Sequence, residues 1–350
     1  MWIFSAIIAI TLATLFRMVS KNLVTDSVPL AFKPNPAPYP AYFFSHGGPT
    51  FMYRDADFGN KRAYDALRNI GQTIKNKYKP DYIIIVSAHW QSSGSRAVEI
   101  AVPSKPPKSK SDENTLVYDF YNFPRHMYQE WFRSLNSAFL SEEIRQRLQE
   151  NGFHSKLTER GIDHGVWVPF KVAFSNYNTL NPPPQGVDPG LDLPDTRVIQ
   201  VSLTGNEKDF DTHFELGKIL NHYRQNLIWD PVEERYLKGM VICSGMSVHN
   251  LRDISSFLRN ADSVLPYTTK FSNLLRETMK NGPDLLANLN KIKTDHEKLL
   301  FQAHPTLEHF VPIVVASGLL SETPKEPIVE VFSEDQGSLA WGMYQFGKSF

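Results

Sequence analysis

Histidine is the residue type with which this chain could do most of its chemistry. The sequence contains 11 histidines and a single cysteine, Cys243. One cysteine cannot form a disulfide within the chain or build a cysteine-based metal cluster. A metal would therefore have to be held by histidine, aspartate or glutamate. Cys243 lies in an apolar run without a basic neighbour, so we expect a buried strand thiol and not a nucleophile.

Two histidines lie directly after predicted strands. The apolar segment Ala41–Phe44 precedes His46, and the β-branched run Asp81–Ser87 precedes His89. Because ligands of open α/β sheets bind beyond the carboxyl ends of the strands, both side chains are expected to face one crevice. A single histidine in such a position is more often structural, whereas two of them favour a metal site.

Two further histidines are candidates for the same crevice. His249 follows the predicted strand Gly239–Cys243 within Ser-Gly-Met-Ser-Val-His-Asn-Leu. His164 lies in Gly-Ile-Asp-His-Gly-Val-Trp, where Asp163 is expected to help fix a loop and Gly165 to leave room for a ligand.

The pair His304 and His309 offers a further candidate. Pro305 and Thr306 predict a helix that begins there, which places His309 in its early turns. A spacing of five residues does not put both side chains on one helical face, so we expect only one of the pair to bind a metal, and the spacing leaves open which. The remaining histidines have no such context and are expected to be surface or structural residues: His126, His154, His213, His222 and His296.

Alternating strand and helix signals surround these histidines. Continuous apolar, β-branched runs predict buried strands at Asp81–Ser87, Thr196–Leu203 and Gly239–Cys243. Apolar periodicity and capping signals predict helices at Lys61–Tyr78, Phe139–Glu150, Glu207–Gln225, Thr268–Asn281 and Thr306–Ser317. This alternation is typical of the α/β class. We expect a single large domain in which helices flank both faces of a central, mostly parallel or mixed sheet.

The N-terminal residues predict a separate segment. Trp2–Phe16 is a run of 15 residues without a charge, which is shorter than the about 20 apolar residues of a spanning helix. We expect residues 1–34 to be an apolar leader or a membrane anchor with a linker, and residues 35–350 to be the main domain. Basic residues that follow the run would keep this domain in the cytosol if the run inserts, whereas translation from Met18 would remove the run. The single cysteine indicates a reducing, cytoplasmic location.

Charge and composition exclude several classes of protein. The 37 Lys and Arg residues balance 37 Asp and Glu residues, for a net charge of 0, which argues against nucleic acid as the main partner. Hydrophobic residues make up 41% and charged residues 21% of the chain, which excludes a mostly disordered protein. We expect a small-molecule partner, and the sequence leaves the oligomeric state open.

Five motifs, taken together and in this order, resemble the class III extradiol ring-cleaving dioxygenases, and within them the DOPA 4,5-dioxygenase-like branch. The motifs are His-Gly-Gly-Pro from His46, Ser-Ala-His-Trp around His89, Asp-His-Gly-Val-Trp around His164, Ser-Gly-x-x-Val-His-Asn-Leu around His249 and Glu-His-Phe-x-Pro around His309. The resemblance spans roughly residues 41–346. The segment Tyr118–Pro124 also resembles a family feature that lines the substrate pocket.

The resemblance implies a role for each motif histidine. His46, His89 and His309 would bind the metal. His249 would be the acid–base residue, or a fourth ligand in a resting state, and His164 would help to hold the substrate. Two aromatic residues would be pocket walls, namely Tyr118 and Trp90.

The implied reaction opens a catechol such as DOPA with O₂ to a muconic semialdehyde, and residues 35–350 would form the catalytic domain. One divalent metal is implied, Fe(II) in an active dioxygenase. An all-histidine triad departs from the usual site of two histidines and one carboxylate and matches catalytic zinc sites, so Zn(II) is an alternative occupant. The competing hypotheses are therefore a zinc hydrolase and a non-catalytic metal-binding protein on the same scaffold.

Overall fold

A large mixed sheet forms the centre of the computed structural model, which describes residues 30–103, 112–255, 263–280, 284–323 and 325–349. The strands are β1 (Phe32–Pro34), β2 (Ala41–Ser45), β3 (Tyr82–Gln91), β4 (Ala97–Val102), β5 (Ser134–Leu135), β6 (His154–Glu159), β7 (Leu193–Leu203), β8 (Asn226–Asp230), β9 (Arg235–Gly245), β10 (Val248–His249), β11 (Ile328–Phe332), β12 (Asp335–Gln336), β13 (Leu339–Ala340) and β14 (Met343–Phe346). The central sheet has 11 of these strands, and its main path runs β11-β14-β2-β9-β3-β7-β4-β6. The short strands β10, β13 and β12 form a second sheet.

Helices connect the strands of the central sheet. They are α1 (Lys61–Thr73), α2 (Ala138–Glu150), α3 (His164–Phe174), α4 (Phe210–Leu220), α5 (His222–Gln225), α6 (Pro266–Met279), α7 (Leu285–Asp295), α8 (Glu297–Ala303) and α9 (Val311–Gly318). A π-helical turn, Ile74–Tyr78, extends α1.

The middle of the sheet is parallel and buried on both faces. Strands β2, β9, β3 and β7 pair in parallel, while β14 and β4 join them in antiparallel fashion. Along β3, Ile83 and Ile85 enter one hydrophobic core with α1 and α3, and Ile84 and Val86 enter another with α2, α4 and α6–α9. The continuous apolar run of β3 is thus explained by helices on both faces, and the predicted α/β class is confirmed.

Several helix boundaries differ from those predicted. The chain turns at residues 308–310 and α9 begins only at Val311, with Pro312 in its first turn, so His309 lies before the helix and not in it. The predicted helix Glu207–Gln225 is interrupted at Asn221. Helix α3 was not predicted, because all of its residues are buried and it therefore lacks an amphipathic period.

The N-terminal part of the described chain joins the sheet early. Strand β1 pairs with β8 through Phe32 and Ile228, so the folded domain begins before the predicted boundary at residue 35. The predicted leader or anchor at residues 2–16 lies outside the described residues. Within the described ranges, no helix is both long and apolar enough to cross a membrane.

Candidate metal centre and active site

The carboxyl ends of three parallel strands bring the first two motif histidines together. Ser45 of β2 pairs with Gly245 of β9, and Ser87 of β3 pairs with Ser244 of β9, so the strand ends lie level. His46 follows the last residue of β2, and His89 lies near the end of β3. This placement agrees with the prediction from strand ends.

Three histidine nitrogens meet at this edge of the sheet. The Nε2 atom of His89 lies 3.1 Å from Nε2 of His46 and 3.2 Å from Nε2 of His309. His309 reaches this point from the turn before α9. The backbone of this turn lies directly against Gly245, where a Cβ atom would be 2.2 Å from the carbonyl oxygen of His309. Two nitrogens that each lie about 2.1 Å from one ion can be at most about 4.2 Å apart. The observed separations therefore fit a single metal ion.

The hydrogen bonds of His46 fix its tautomer. Its Nδ1 atom lies 2.9 Å from Oγ of Ser244, and this hydroxyl donates its one proton to the carbonyl oxygen of Gly165. The imidazole must therefore donate from Nδ1, which leaves the lone pair on Nε2 free to bind a metal.

Carboxylates fix the other two rings in the same way. Nδ1 of His309 lies 3.0 Å from Oε1 of Glu308, and Nδ1 of His89 lies 3.4 Å from Oδ2 of Asp119. A carboxylate can only accept, so the hydrogen bond to Glu308 places the proton of His309 on Nδ1. The contact between Asp119 and His89 is an ion-pair distance and favours the same tautomer without a hydrogen bond. The free Nε2 lone pairs of His46 and His309 both face Nε2 of His89, and one divalent ion between the three nitrogens would stabilise this arrangement.

Burial keeps these imidazoles neutral. It lowers the pKa of His46 and His309 well below the ordinary value, and the positive charges that neighbouring histidines would carry act in the same direction. Burial, followed by the charge that His164 would carry, lowers the pKa of His89 to about 3. Neutral imidazole is the form that binds Zn²⁺, Fe²⁺ and related ions, so the three residues fit a mononuclear metal site.

His249 lies against this cluster. Its ring stacks on that of His309 with centroids 3.6 Å apart and an angle of 17° between the planes. Burial lowers the pKa of His249 to about 4, so the ring is neutral and can accept a proton. It belongs to β10, which pairs with β13 and thereby holds the residue at the cavity wall.

His164 begins helix α3 on the other side of His89. The two ring centroids are 3.9 Å apart, and Nδ1 of His164 lies 2.9 Å from Oδ1 of Asp119. The backbone N–H of His164 donates to the same oxygen at 2.9 Å. A Cβ atom at Gly165 would lie 2.7 Å from Cδ2 of His89, so glycine allows the helix start to approach the ring of His89.

A cavity of about 530 Å³ opens beside the histidines. This volume suits a small-molecule ligand. Most of its other lining is apolar or aromatic: Gly47, Gly48, Pro49, Ala88, Phe120, Tyr121, Phe123, Met246, Leu251 and Leu339. Asp119, Glu308, His89, His164, His249 and His309 complete the wall. The site can therefore hold a flat apolar ring against a polar, metal-binding edge.

Tyr118 and Trp90, which the resemblance implies as pocket walls, contact residues behind the lining of the cavity. The hydroxyl group of Tyr118 donates to the carbonyl oxygen of Glu130 at 2.5 Å, and its ring packs on Trp167. Trp90 is buried beneath the guanidinium group of Arg160. Both side chains support the wall from behind, and Asp119, Phe120, Tyr121 and Phe123 line the cavity in their place.

The other histidine of the ambiguous pair has a structural contact. Nε2 of His304 lies 3.0 Å from the carbonyl oxygen of Ser247, and the residue is fully buried. The carbonyl can only accept, so Nε2 carries the proton and has no lone pair for a metal. Cys243 is also fully buried in β9, and burial raises its thiol pKa, as expected for a strand residue.

Two acidic residues of the site were not assigned a role from sequence. Asp119 lies within the aromatic segment that starts at Tyr118, and Glu308 precedes His309. Each contacts Nδ1 of a candidate metal ligand. The signal that could have found them is the need of a metal-binding imidazole for an acceptor at its second nitrogen.

Comparisons with known proteins point to one family. Residues 40–344 match the family described as the catalytic LigB subunit of aromatic ring-opening dioxygenase. A protein of Schizosaccharomyces pombe named 4,5-DOPA dioxygenase extradiol-like protein is 30% identical over 308 residues, which cover 84% of this chain and 89% of the relative. The 4,5-DOPA dioxygenase extradiol of Beta vulgaris is 29% identical over 87% of this chain and 95% of its own length. The protein of that name from Escherichia coli K12 is 25% identical over 88% and 94%, respectively.

A solved structure shares the fold. The crystal structure of an uncharacterized protein from Escherichia coli K12 superposes with a TM-score of 0.59 at 22% identity, over 88% of this chain and 100% of that chain. The central sheet and its flanking helices are therefore an architecture already observed by experiment.

Proposed function

This chain belongs to the family of catalytic LigB subunits of aromatic ring-opening dioxygenases, and on that premise we propose that it is an Fe(II)-dependent extradiol dioxygenase of DOPA-like catechols. One observation carries the proposal. Three Nε2 atoms of histidine face one point at the wall of a largely apolar cavity that also holds His249 and His164. The proposed reaction breaks the ring bond beside the diol and places both atoms of O₂ in a muconic semialdehyde.

In this proposal His46, His89 and His309 hold the metal. When bound, Fe(II) would supply the Lewis acidity that favours the catecholate and the redox chemistry that O₂ activation requires. Ser244 and Glu308 keep His46 and His309 in the tautomer that presents Nε2, and Asp119 lies 3.4 Å from Nδ1 of His89.

His249 is the proposed acid–base group. A catechol must lose a proton to chelate a metal through both oxygens, and a neutral imidazole at the cavity wall can take it. Stacking on His309 holds the His249 ring beside the metal ligands. The same nitrogen can return the proton when the ring opens, so that no net base is consumed.

His164 is the proposed substrate-holding residue. Its Nδ1 atom faces Asp119, and its second ring nitrogen remains for a substrate oxygen. Phe120, Met246 and Leu339 also line the cavity and would give the aromatic ring of the substrate apolar contacts.

The DOPA-like substrate is inferred from the relatives. Those named 4,5-DOPA dioxygenase extradiol are 24–29% identical to this chain and align over most of its length. A catechol with a short side chain is compatible with a cavity of about 530 Å³.

The proposed metal has a strong competitor. Three neutral nitrogens without a carboxylate match catalytic zinc sites, and zinc binds nitrogen and oxygen sites more tightly than Fe(II). We therefore expect the protein to acquire zinc during purification, and this form to be inactive with O₂ because zinc has no redox chemistry.

The test is oxygen uptake by protein that has been stripped of metal and reloaded with Fe(II) under anaerobic conditions. We expect a DOPA-containing panel of catechols to give one O₂ consumed per catechol, with a yellow ring-opened product, and the zinc-loaded protein to give none. An absence of uptake across the panel, with iron content verified, contradicts the proposal.

A further inference from the structure

A second cavity, of about 700 Å³, lies next to the cavity of about 530 Å³ described above. We refer to the smaller one, which is lined by His89, His164, His249 and His309, as the histidine cavity. Both volumes fall in the range of about 300–1,000 Å³ that is typical of small-molecule sites. Phe123 lines both cavities, so the two meet at this residue.

Two chain segments form the border between the cavities. Gly48 and Pro49 line the histidine cavity, and the next residue, Thr50, lines the second cavity. In the same way, Tyr121 lines the histidine cavity and Asn122 lines the second one. Because two separate segments pass from one wall to the other, the cavities adjoin along an edge. One ligand can therefore occupy both.

Aromatic rings lead from this border to the histidines. Phe123 packs edge-on against Phe120 with ring centroids 5.5 Å apart, and Phe120 packs edge-on against His164 at 5.8 Å. The hydroxyl group of Tyr128 donates to the carbonyl oxygen of Phe120 at 3.2 Å and accepts the backbone N–H of Phe123 at 3.3 Å. Two ring contacts thus separate the second cavity from the proposed substrate-holding residue, and a substituent on a catechol can span that distance.

The large side chains of the second cavity are mostly apolar or aromatic. They are Tyr53, Phe58, Tyr64, Phe123, Met127 and Leu180. The hydroxyl group of Tyr53 donates to Glu130 at 2.7 Å, so this residue offers a ligand its ring and not its hydroxyl. Phe58 and Leu180 are 56% and 65% exposed. A ligand that covers them removes apolar surface from water, which favours an apolar or aromatic group.

The charged residues of the second cavity do not call for a charged ligand. Arg54 donates two hydrogen bonds of 2.6 Å to Asp65, and Asp55 accepts one of 2.7 Å from Lys61. Asp57 is exposed, so water and salt screen its charge. We therefore expect the group that fills this cavity to be uncharged.

We propose that the second cavity is a subsite for the substituent of the substrate, and that the substrate class is catechols with a bulky, uncharged, apolar or aromatic substituent. This inference rests on the proposed function, because the catechol ring itself lies in the histidine cavity. The substituent passes Phe123 and packs against Phe58 and Leu180. The short side chain of DOPA leaves the second cavity to water, so residues remote from the metal ligands decide between catechols.

The first experiment compares ligands on the unaltered, full-length protein, so it does not depend on a variant that folds. The Zn(II)-loaded protein, which does not turn over, is titrated with 4-methylcatechol, DOPA and 4-(2-phenylethyl)catechol. We expect the phenylethyl compound to bind at least about 10-fold more tightly than 4-methylcatechol, because its phenyl group buries apolar surface in the second cavity. Equal affinities for these two compounds overturn the proposal.

The second experiment tests where the substituent binds. In a variant that combines Phe58→Ala with Leu180→Ala, the affinity for 4-(2-phenylethyl)catechol should fall at least about fivefold more than that for 4-methylcatechol. Both replaced side chains are more than half exposed, so the fold should tolerate their loss. Val187 is 48% exposed and lines neither cavity, so Val187→Ala is the control and should change neither affinity. If the ratio of the two affinities is the same in the double variant and the unaltered protein, the substituent binds elsewhere and the proposal is wrong.

Both readouts are independent of turnover. If the iron-loaded protein consumes no O₂ but the phenylethyl compound binds more tightly and the double variant loses this gain, the subsite stands and the proposed reaction fails. If the iron-loaded protein consumes O₂ with DOPA and the phenylethyl compound gains no affinity, the reaction stands and the subsite fails.

Discussion

At the scale of single residues, the proton on a histidine ring decides whether that histidine can bind a metal. His304 and His309 are five residues apart and both buried. His304 uses Nε2 to donate to the carbonyl oxygen of Ser247, whereas His309 uses Nδ1 to donate to Glu308 and keeps Nε2 free. The spacing in the sequence did not separate these two residues, but their acceptors do.

Replacing each of the two residues should have distinct effects. His309→Ala removes one of three nitrogens, so we expect metal content after dialysis to fall to near zero. His304→Leu should retain metal and lose about 1–3 kcal/mol of stability, because leucine has no donor for the buried carbonyl oxygen of Ser247. Elemental analysis and thermal unfolding measure the two effects, and loss of metal in His304→Leu with retention in His309→Ala would reverse the assignment.

The role of His249 is tested by separating turnover from metal content. If the residue is an acid–base group, His249→Gln should lower kcat by about 10²–10⁴-fold and leave the iron content of the reconstituted protein unchanged. Replacement of the exposed His296 by alanine is the matched control, and it should change neither kcat nor the iron content. A large fall in iron content of His249→Gln would instead indicate a fourth ligand, the alternative implied by the resemblance.

At the scale of secondary structure, the sequence was sufficient to predict the buried strands. It predicted only some of the helices and turns that carry residues of the candidate site. Tyr82–Gln91 and Arg235–Gly245 coincide with two of the predicted buried runs, apart from Asp81, because a strand covered on both faces must be continuously apolar. The carboxyl ends predicted for Ala41–Phe44 and Asp81–Ser87 were sufficient to place His46 and His89 in one crevice. The family resemblance of the motifs is confirmed by the match over residues 40–344.

The remaining site elements depend on tertiary contacts that no local pattern encodes. Helix α3 is buried along its whole length, so it has no polar face to reveal its period. His309 lies in a turn set by packing before α9, and the proline at 305 gave a false helix start. Asp119 could not be paired with His89 and His164 without the fold that brings three distant segments together.

Close packing of helix α3 against strand β3 yields a prediction at this scale. A Cβ atom at Gly165 would lie 2.4 Å from Oγ of Ser87 and 2.7 Å from Cδ2 of His89. Gly165→Ala must therefore displace His89 or the helix. We expect a loss of about 1–3 kcal/mol in the free energy of unfolding and weaker Zn(II) binding.

Gly48 supplies the matched control for Gly165. A Cβ atom there meets nothing within 4 Å, and its φ of −87° suits any residue. We expect Gly48→Ala to change the free energy of unfolding by less than about 0.5 kcal/mol in urea titrations. If the two substitutions lower the free energy of unfolding equally, the close contact between residue 165 and His89 is not the cause of the loss.

At the scale of the whole molecule, the two hydrophobic cores consist of residues from Ala41 onward. We therefore expect a chain that begins at residue 30 to retain the melting temperature and zinc stoichiometry of the full chain. A chain that begins at residue 35 lacks β1, which pairs with β8, and should be less stable. If the chain that begins at residue 30 fails to fold, residues 1–29 contribute to the stability of the domain.

Metal removal connects the site to global stability. The three proposed ligands come from the end of β2, from β3 and from the turn before α9, so an unfolded chain does not preserve the site. An ion that binds only the folded state stabilises it by about 2.7 kcal/mol when its free concentration is 100 times the Kd. We expect EDTA to lower the melting temperature of the zinc-loaded protein. The decrease should be larger when the free zinc concentration before the addition of EDTA is higher.

The variant His309→Ala is the control. It should melt at the same temperature with and without EDTA, because it has no complete metal site to lose. If the wild-type protein is equally insensitive while its zinc content falls to zero, the ion is bound too weakly or outside the folded core, and the metal centre assigned to these histidines would have to be abandoned.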